Sequence, residues 1–494
     1  MINNNTTCDN NPNCCGDKPA TLTKSTSTSC LLDADFAVVA KWIIPVVPEN
    51  TVYENHCIVV KKEKILDIVK YSDLEMRYNV KNVINLKEMN TDSNKDPNVE
   101  YILTPGFFNM HAHSAMTLLR GYADDVSLHD WLNKFIWPAE AQYVGEEFVE
   151  LGTQLACMEM IKTGTTYCNE MYYFPEVSAK VIQESGMRAT VAAPIIKFPT
   201  CYAANEDEYI EKGIKLIESY AGNEKIKISL GPHAVYTITD EAYKKVKELS
   251  EKYKLPIHTH LHETHIEVNG EIEASGKRPI QRLKELEVLS PSLIAAHMTQ
   301  LDSNDINLVA DHGVHVVHCP ESNLKLGVSG VAPIHKLLSR EVNVSLGTDS
   351  AASNDDLDIL GELRTAAYVD KLSYNSSTEK LSNHVCTPSY KVLSMATING
   401  AKALGVDDKL GSLELGKMAD FIAVKINSFP VYDPISHLVY VGTNKVSDVW
   451  VSGKQLLKNG KCTTINETAL NSKVIEFTSK INSTRPNTKL KVIQ

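Results

Sequence analysis

Eight apolar runs of strand length, separated by longer helical stretches, constrain the fold of this chain more than any other feature. The runs are YILTPGFFNMHAH, GTTYCNEM, MRATVAAP, KISLGPHA, LPIHTHLH, LIAAHM, HVVHCP and VNVSLGTD. Such alternation is typical of repeated βα units around a parallel sheet. Eight units over roughly 300 residues fit a (β/α)8 barrel, whereas a doubly wound open sheet has the same element order. We predict an α/β protein with a TIM-type barrel.

Two segments outside these runs show helical patterns. Apolar residues at steps of three and four (Phe148, Leu151, Leu155 and Met158) predict a helix with one apolar face after the first run. A further helix is predicted around Ser394 to Leu404, after the last run.

Short β-type runs lie on both sides of the barrel segment. DFAVVAKWIIPV, HCIVVKKEKILDIV and KNVINL precede it, and ADFIAVKI, HLVYVG and VSDVWVSGKQLL follow it. We predict that they pair into one small β-sandwich domain built from both chain ends. The predicted organisation is a disordered tail at 1–30, the first part of the β domain at 31–100, the barrel at 101–412, the second part of the β domain at 413–470 and a C-terminal extension at 471–494.

Composition excludes several classes of function. The formal charge of −11 without a basic cluster argues against nucleic acid, and the sequence has no apolar run of about 18 residues, as a membrane span would need. The first 30 residues lack the basic start and apolar core of a secretory signal. Eleven cysteines without regular spacing indicate reduced thiols. We predict a cytoplasmic protein that acts on a small molecule, and the sequence leaves a homo-oligomer open.

Histidine or aspartate stands at or near the C-terminal end of six of the eight runs. In a barrel, active sites form at this end of the strands. One or two histidines there could be chance, but chance is a poor account of so many. The residues are His111, His113, His233, His258, His260, His262, His297, His318 and Asp349.

Spacing selects some of these residues as metal ligands. His111 and His113 are two apart on an extended segment, so both rings point to one side. A His-X-His pair alone is a weak signal, but this one follows an apolar run. The trio of histidines at 258–262 shares one strand face, and spacing does not decide which of them binds an ion; at least one should be a buried structural histidine. Asp349 is either a ligand or the N-cap of a helix.

Three imidazoles and one carboxylate suit a catalytic divalent ion. Zinc is the favoured ion, and iron(II) and manganese are compatible with the same donors. Such an ion lowers the pKa of bound water from about 16 toward 7. The residues therefore predict a metal-dependent hydrolase with one divalent ion per subunit.

The longer motifs around these residues allow a family to be named. They include PGFFNMHAHSAMTLLRGYADDVSLHDWL, IWPAE, GTTYCNEMYYFPE, GPHAVYT, HLHET, AAHMTQ, HCPESNLKLGVSG, GTDSAASNDDLD and ATINGAKALG with GSLELGKMADFIA. With these motifs, the sequence resembles the amidohydrolase superfamily and, within it, the 5′-methylthioadenosine/S-adenosylhomocysteine deaminases. The likeness extends from about residue 32 to about residue 465.

The resemblance implies a role for each site residue. The implied metal ligands are His111, His113, His260 and Asp349, and the implied catalytic residues are Glu263 as proton shuttle, His297 as the residue that orients the attacking water, and Asp349 as proton acceptor. The implied substrate contacts are Glu263, His233, Glu140 at the ribose hydroxyls and Trp131 as a wall over the base. Without the resemblance, Glu140 reads as a solvated helix acid, Trp131 as core packing and His233 as a capped turn residue.

The implied reaction is hydrolytic deamination of an adenine nucleoside. Two departures from the family pattern bear on it: Ser350 stands where many relatives have glycine, and the segment AAPIIKFPTCYAANEDEYI lacks an arginine for the amino-acid end of S-adenosylhomocysteine. We therefore expect 5′-methylthioadenosine as substrate, with adenosine second, over S-adenosylhomocysteine. The alternatives are another amidohydrolase, acting on guanine, a pterin or a triazine, and a non-catalytic relative that serves as a binding protein.

Overall fold

A computed structural model describes residues 31–88, 98–376 and 386–485 of the chain. The predicted disordered tail at 1–30 lies outside these ranges. Two sheets organise the described residues: a parallel sheet of eight strands and a mixed sheet of nine.

Seventeen strands form the two sheets. They are β1 Leu32–Ile43, β2 Tyr53–Lys61, β3 Lys64–Lys70, β4 Tyr78–Asn85, β5 Glu100–Pro105, β6 Phe107–Ala112, β7 Thr165–Met171, β8 Arg188–Ile195, β9 Ile226–Pro232, β10 Ile257–Leu261, β11 Leu293–His297, β12 His315–His318, β13 Val344–Leu346, β14 Phe421–Ile426, β15 Lys445–Val451, β16 Lys454–Lys458 and β17 Lys461–Cys462.

Eighteen α-helices occur in the described ranges. They are α1 Leu74–Arg77, α2 Leu128–Asp130, α3 Trp137–Tyr143, α4 Glu146–Thr163, α5 Pro175–Ser185, α6 Glu206–Ser219, α7 Asp240–Tyr253, α8 His265–Ser275, α9 Pro279–Glu285, α10 Ser303–Asp311, α11 Pro320–Lys325, α12 Ile334–Ser339, α13 Ala351–Asn354, α14 Ile359–Ser376, α15 Ser389–Met395, α16 Ile398–Ala403, α17 Pro434–Tyr440 and α18 Glu467–Thr484. Short 3-10 turns cover Tyr71–Asp73, Ser114–Leu119 and Val235–Thr237, and a π-helix covers Trp131–Ile136.

The parallel sheet closes into a barrel. Its strands follow the order β6 to β13, and the two ends meet where the backbone N–H of Asp349 donates to the carbonyl of His111 at 2.9 Å. Gly347 permits this approach, because a Cβ there would lie 2.7 Å from the His111 nitrogen. The predicted (β/α)8 barrel is confirmed, and the open doubly wound sheet is excluded.

The mixed sheet joins the two ends of the chain. β14, from the C-terminal part, pairs antiparallel with β5, which in turn lies parallel to β1. The prediction that early and late β segments form one small domain is confirmed. The β run predicted at HLVYVG is wrong, because residues 437–440 belong to helix α17, whose N-cap Asp433 accepts from the N–H groups of Ile435 and Ser436. Because strands from before and after the barrel segment lie in one sheet, this domain is complete only when both parts of the chain have folded.

The first predicted inner strand is two strands in different sheets. β5 belongs to the mixed sheet, and only β6 belongs to the barrel. The chain passes from one sheet to the other at Gly106, where a Cβ would lie 2.1 Å from Oγ1 of Thr166. The apolar pattern does not show this break, because both strands are buried on both faces.

The two predicted helices have different outcomes. α4 is confirmed, and its apolar residues Phe148, Leu151, Leu155 and Met158 are buried. The single helix predicted around 394–404 is wrong. Its place is taken by α15 and α16, which are separated at Thr397 because the carbonyl of Ala396 accepts from the N–H of Phe108 at 2.8 Å instead of continuing the helix.

The described residues bear on two predictions from composition. Among them, no helix is both long enough and apolar enough to span a membrane. The seven cysteines within the described ranges are free thiols, namely Cys57, Cys157, Cys168, Cys201, Cys319, Cys386 and Cys462.

Candidate metal centre and substrate pocket

The barrel brings the four predicted ligands together. His111 and His113 lie at the end of β6, His260 on β10, and Asp349 just after β13. Nε2 of His113 is 3.3 Å from Nε2 of His260 and 3.2 Å from Oδ1 of Asp349, and Nε2 of His111 is 3.6 Å from the same oxygen. Ligand atoms that share one zinc ion at about 2.0–2.1 Å lie roughly 3–4 Å apart. The donor spacing therefore fits one small divalent ion.

An unpartnered donor atom supports the same conclusion. Nε2 of His111 is buried and has no hydrogen-bond partner among the described residues. A buried nitrogen of this kind normally has a partner, and a metal ion at the centre of the cluster would supply one. Side-chain groups near this point form two overlapping sets with ligand atoms within 4.8 Å of one another, namely His111, His260 and His297, and His111, His113 and Asp349.

Backbone carbonyls orient two of the imidazoles. Nδ1 of His113 donates to the carbonyl of Met171, and Nδ1 of His260 donates to the carbonyl of His233 at 2.8 Å. A carbonyl only accepts, so each ring carries its proton on Nδ1 and keeps the Nε2 lone pair for the ion. The arrangement of these two rings is therefore that of metal ligands.

The histidine trio on β10 has three different environments. His260 points into the cluster, as the resemblance implies. His262 is structural: its Nε2 accepts from the N–H of Ile280 at 3.1 Å, and its Nδ1 donates to the carbonyl of Gln300 at 3.2 Å. His258 is fully buried beside His111, with Nε2 at 2.9 Å from Nδ1 of that ring.

Asp349 has its two carboxylate oxygens in different surroundings. Oδ1 faces His113, while Oδ2 accepts from the hydroxyls of Ser322 at 2.7 Å and Ser353 at 3.1 Å. Burial alone would raise the pKa of Asp349, but the hydrogen bond and charge of His113 outweigh it and lower the pKa. The carboxylate is ionised at neutral pH and is held in one orientation.

The alternative of Asp349 as a helix N-cap is wrong. The N-cap of α13 is Ser350, whose hydroxyl accepts from the N–H of Ser353 at 3.0 Å. Ser350 has φ −86°, which any residue adopts, whereas Asp349 has φ 62° in the left-handed region. Replacement of the family's glycine by Ser350 therefore introduces no backbone strain.

Glu263 is a buried acid beside the cluster. Its Oε1 lies 3.9 Å from Nε2 of His297. Burial raises the pKa of Glu263, which favours the neutral form that a proton donor needs. His297 donates from Nδ1 to Oδ1 of Asn323 at 2.9 Å, so its Nε2 is free to accept a hydrogen bond in the pocket.

Sequence reasoning missed Glu267, which holds the backbone at Glu263. Its carboxylate accepts from the N–H of His262 at 3.0 Å and of Glu263 at 2.7 Å, while Thr299 donates to the carbonyl of Glu263 at 2.7 Å. A signal was present, since Thr264 and Glu267 have the T-x-x-E spacing of a capping box at the start of α8. In a capping box the glutamate accepts from the backbone N–H of the N-cap residue. Here Glu267 accepts instead from the N–H groups one and two residues before the N-cap Thr264.

A second part of the pocket wall comes from the segment after β6. Trp131 and Glu140 line it together with Tyr172 from the end of β7. Glu140 is buried and accepts from the hydroxyl of Tyr172 at 2.7 Å, and burial raises the pKa of Glu140 to about 7. The alternative of a solvated helix acid is therefore wrong for Glu140.

Trp131 and His233 combine a packing role with a place in the pocket. Trp131 packs in a buried apolar cluster and also lines the pocket, where its Nε1–H has no partner among the described residues. Nδ1 of His233 lies 3.0 Å from Oγ1 of Thr237 in a turn, and burial lowers the pKa of His233 to about 4. His318 is also buried, but it is not among the residues that line this pocket.

A larger outer cavity of about 740 Å³ continues from the metal pocket. The two share Leu128, Trp137 and Glu263 in their walls. Arg282 lines the outer cavity but is paired with Asp240 at 2.8 Å and with Glu271 at 3.0 Å. Lys197, which is exposed, also lines it.

Comparison with known proteins assigns the family. Residues 102–456 match the family model described as the amidohydrolase family. The chain belongs to the amidohydrolase family. This amidohydrolase is 41% identical over 455 residues to a protein of Teredinibacter turnerae named 5-methylthioadenosine/S-adenosylhomocysteine deaminase, with 91% of this chain and 98% of that protein covered.

Two further relatives of this amidohydrolase have related names. It is 41% identical over 385 residues to a 5′-deoxyadenosine deaminase of Methanosarcina mazei, with 77% of this chain and 85% of that protein covered. Its structure is similar to a crystal structure of an adenosine deaminase from Xanthomonas campestris with bound zinc, with a TM-score of 0.85 and 37% sequence identity. That likeness covers 92% of this chain and 100% of the other.

Proposed function

We propose that this amidohydrolase is a metal-dependent deaminase of adenine nucleosides. In the reaction, water adds its oxygen to C6 of the adenine ring, the C6–NH₂ bond breaks, and the products are the hypoxanthine nucleoside and ammonia. The observation that carries the proposal is the buried acid Glu263 next to the His/Asp cluster. The names of the relatives, which are deaminases of adenosine derivatives, support the choice of ring.

The donor set His111, His113, His260 and Asp349 would hold one divalent ion, with zinc as the favoured identity and iron(II) or manganese as compatible ones. When bound, such an ion lowers the pKa of water toward 7 and supplies a nucleophile at neutral pH.

Two carboxyl groups would move the protons in opposite directions. Glu263, whose pKa burial raises, gives its proton to N1 of the ring and makes C6 more electrophilic. Asp349, whose pKa is lowered, accepts a proton from the attacking water and passes it to the leaving amine. His297 accepts a hydrogen bond from that water through Nε2. Two acids with pKa values shifted apart are the usual arrangement for paired acid and base catalysis.

This second part of the pocket wall, with Glu140 and Trp131, would bind the sugar and the base. Glu140 is placed to accept hydrogen bonds from the ribose hydroxyls, since Tyr172 uses only one of its oxygens. The unpartnered Nε1–H of Trp131 offers a donor on the same side, and its ring supplies an apolar surface. His233, which is neutral at pH 7, lines the pocket beside His260 and would contact the purine.

The outer cavity would hold the substituent on the 5′ carbon of the nucleoside. A methylthio group needs an apolar surface, which Leu128 and Trp137 provide where the two cavities join. An amino-acid carboxylate favours a bidentate arginine, but Arg282 is already paired with two acids and Lys197 offers one ammonium group. We therefore propose 5′-methylthioadenosine as the preferred substrate, adenosine as the second and S-adenosylhomocysteine as a poorer one.

An ultraviolet assay of base deamination tests this function. The purified chain is mixed in turn with 5′-methylthioadenosine, adenosine, 5′-deoxyadenosine, S-adenosylhomocysteine and guanine. We expect kcat/KM to be highest for 5′-methylthioadenosine. Equal kcat/KM for S-adenosylhomocysteine would contradict the substrate preference, and turnover of guanine without turnover of any adenine nucleoside would contradict the proposed activity.

A further inference from the structure

His258 is a buried histidine that neither lines the substrate pocket nor belongs to the proposed ligand set. Its Nε2 lies 2.9 Å from Nδ1 of His111. The two rings meet edge to face, with centroids 4.9 Å apart and an interplanar angle of 86°. Among the described residues, this contact is the hydrogen bond of Nδ1 of His111, since Nε2 of that ring has no partner.

We propose that His258 is a positioning residue that sets the tautomer of His111 and aims its Nε2 at the metal. This inference rests on the metal site of the proposed function. A neutral imidazole that binds an ion through Nε2 carries its proton on Nδ1, and a buried N–H needs an acceptor. The other two histidine ligands use the backbone carbonyls of Met171 and His233 for this purpose. For His111, the acceptor is the Nε2 of His258.

Asn169 completes the hydrogen-bond chain behind His258. When Nε2 of His258 accepts, its own proton lies on Nδ1, which is 3.1 Å from the side-chain amide of Asn169. That amide nitrogen also donates to the carbonyl of Met110 at 3.1 Å, and Oδ1 has no partner among the described residues. A half turn of the carboxamide lets Oδ1 accept the proton of His258, at the expense of the hydrogen bond from the amide nitrogen to the carbonyl of Met110.

His262, the residue that directly follows β10 and has a left-handed backbone, provides a matched comparison. It is as deeply buried as His258, but its two ring nitrogens bond to the backbone at Ile280 and Gln300. Loss of His262 removes a buried imidazole without removing an acceptor from a metal ligand. A purely structural account predicts the same effect at both positions, whereas the positioning account predicts an effect on metal affinity only at His258.

The test is competition for zinc between the purified full chain and a chromogenic chelator, without substrate. We expect His258→Leu, which keeps the bulk and removes the acceptor, to weaken zinc binding about 10- to 100-fold. His258→Gln keeps an acceptor near the Nε2 position and should restore most of the affinity. His262→Leu should lower the midpoint of denaturant unfolding while zinc affinity stays at the parent value. The visible spectrum of the cobalt(II)-loaded proteins should change with His258→Leu and not with His262→Leu.

Several results would overturn the inference. Parent-like zinc affinity in His258→Leu would do so, as would equal losses in His258→Leu, His258→Gln and His262→Leu. If His258→Leu does not fold, the test uses Asn169→Leu instead. Weaker zinc binding by this variant supports the hydrogen-bond chain from Asn169 through His258 to His111, and parent-like zinc binding contradicts it. A parent chain that binds no divalent metal overturns both the metal site and this inference, whereas zinc binding without deamination removes the proposed activity and leaves the inference standing.

Discussion

One part of the pocket wall, the metal-facing wall, consists of strand ends, whereas another part, the recognition wall, consists of the segment between β6 and α4. On the first wall, His111, His113 and His260 lie on or directly after barrel strands whose neighbours pair with them on both sides. On the second, Trp131 begins a π-helix and Glu140 lies on the short helix α3. In the proposed function, the barrel strands hold the metal ligands, and an excursion from the barrel holds Trp131 and Glu140 for substrate recognition.

The hydrogen bonds of the two walls differ in the same way. The metal-facing side chains have backbone carbonyls, hydroxyls or another histidine behind them. The recognition wall has one such contact at Glu140 and an unpartnered N–H at Trp131. Changes to the first wall should therefore affect kcat, and changes to the second should affect KM.

The largest effect is expected from Glu263→Gln. The variant keeps the shape of the side chain and removes the acidic proton, so kcat should fall roughly 10²- to 10⁴-fold. Metal content, measured by emission spectroscopy, should equal that of the parent because Glu263 is not in the ligand set. A kcat within tenfold of the parent's would contradict the assignment of Glu263 as the proton donor.

Glu140→Gln should have the next largest effect, and on KM. Hydrogen bonds to a charged group contribute about 1.5–3 kcal/mol, so the neutral amide should raise KM for 5′-methylthioadenosine about 10- to 100-fold. We expect kcat to change much less, as shown by steady-state kinetics. A fall in kcat at unchanged KM would contradict a sugar-binding role.

The pH dependence of KM should show whether Glu140, on the recognition wall, binds the substrate in its charged form. Burial raises the pKa of Glu140 to about 7, so this group is neutral below that pH and gains the charge that accepts from ribose as pH rises. KM should therefore fall as pH increases through about 7, and the slope should disappear in Glu140→Gln. A KM profile that is the same in parent and variant would place the titrating group elsewhere.

A smaller effect is expected from Trp131→Phe. The variant keeps an aromatic surface and removes the Nε1–H, so KM should rise about 2- to 10-fold, as for loss of one neutral hydrogen bond. Isothermal titration with the product nucleoside provides a second readout. Unchanged affinity would show that Trp131 contributes packing alone.

The smallest effect concerns stability behind the metal-facing wall. Ser350→Ala removes the N-cap of α13 and should lower the free energy of unfolding by about 1 kcal/mol, whereas Ser350→Gly should cost only a few tenths. Chemical denaturation measures both. Stabilisation by Ser350→Gly would contradict the φ of −86° found at this position.

The barrel and the gathering of His111, His113 and Asp349 at its strand ends could be predicted because both depend on short-range patterns. The spacing of His111 and His113 fixes the side of the strand on which they lie, and each strand ends where its polar residue appears. The histidine trio could not be resolved from spacing, because its members differ in their neighbours from other strands. His262 meets the backbone at Ile280, and His258 meets His111, which is 147 positions away.

The other errors have the same cause. The split of the first inner strand at Gly106 depends on the nearness of Thr166, and the break between α15 and α16 depends on a hydrogen bond from Phe108. Glu267 was overlooked because its side chain bonds to the turn before the helix. Each feature depends on particular contacts, the first two of them between segments that are distant in sequence, and the spacing of apolar residues within one segment gives no information about such contacts.

The central claim is that one metal ion in the barrel drives deamination of an adenine nucleoside. Its most direct test is to strip the purified chain with a chelator and follow deamination of 5′-methylthioadenosine while zinc is added back. We predict no turnover by the stripped protein and a linear return of activity that ends at one equivalent of metal per chain. Full activity after complete removal of the metal, or no activity with any divalent ion, would contradict the claim.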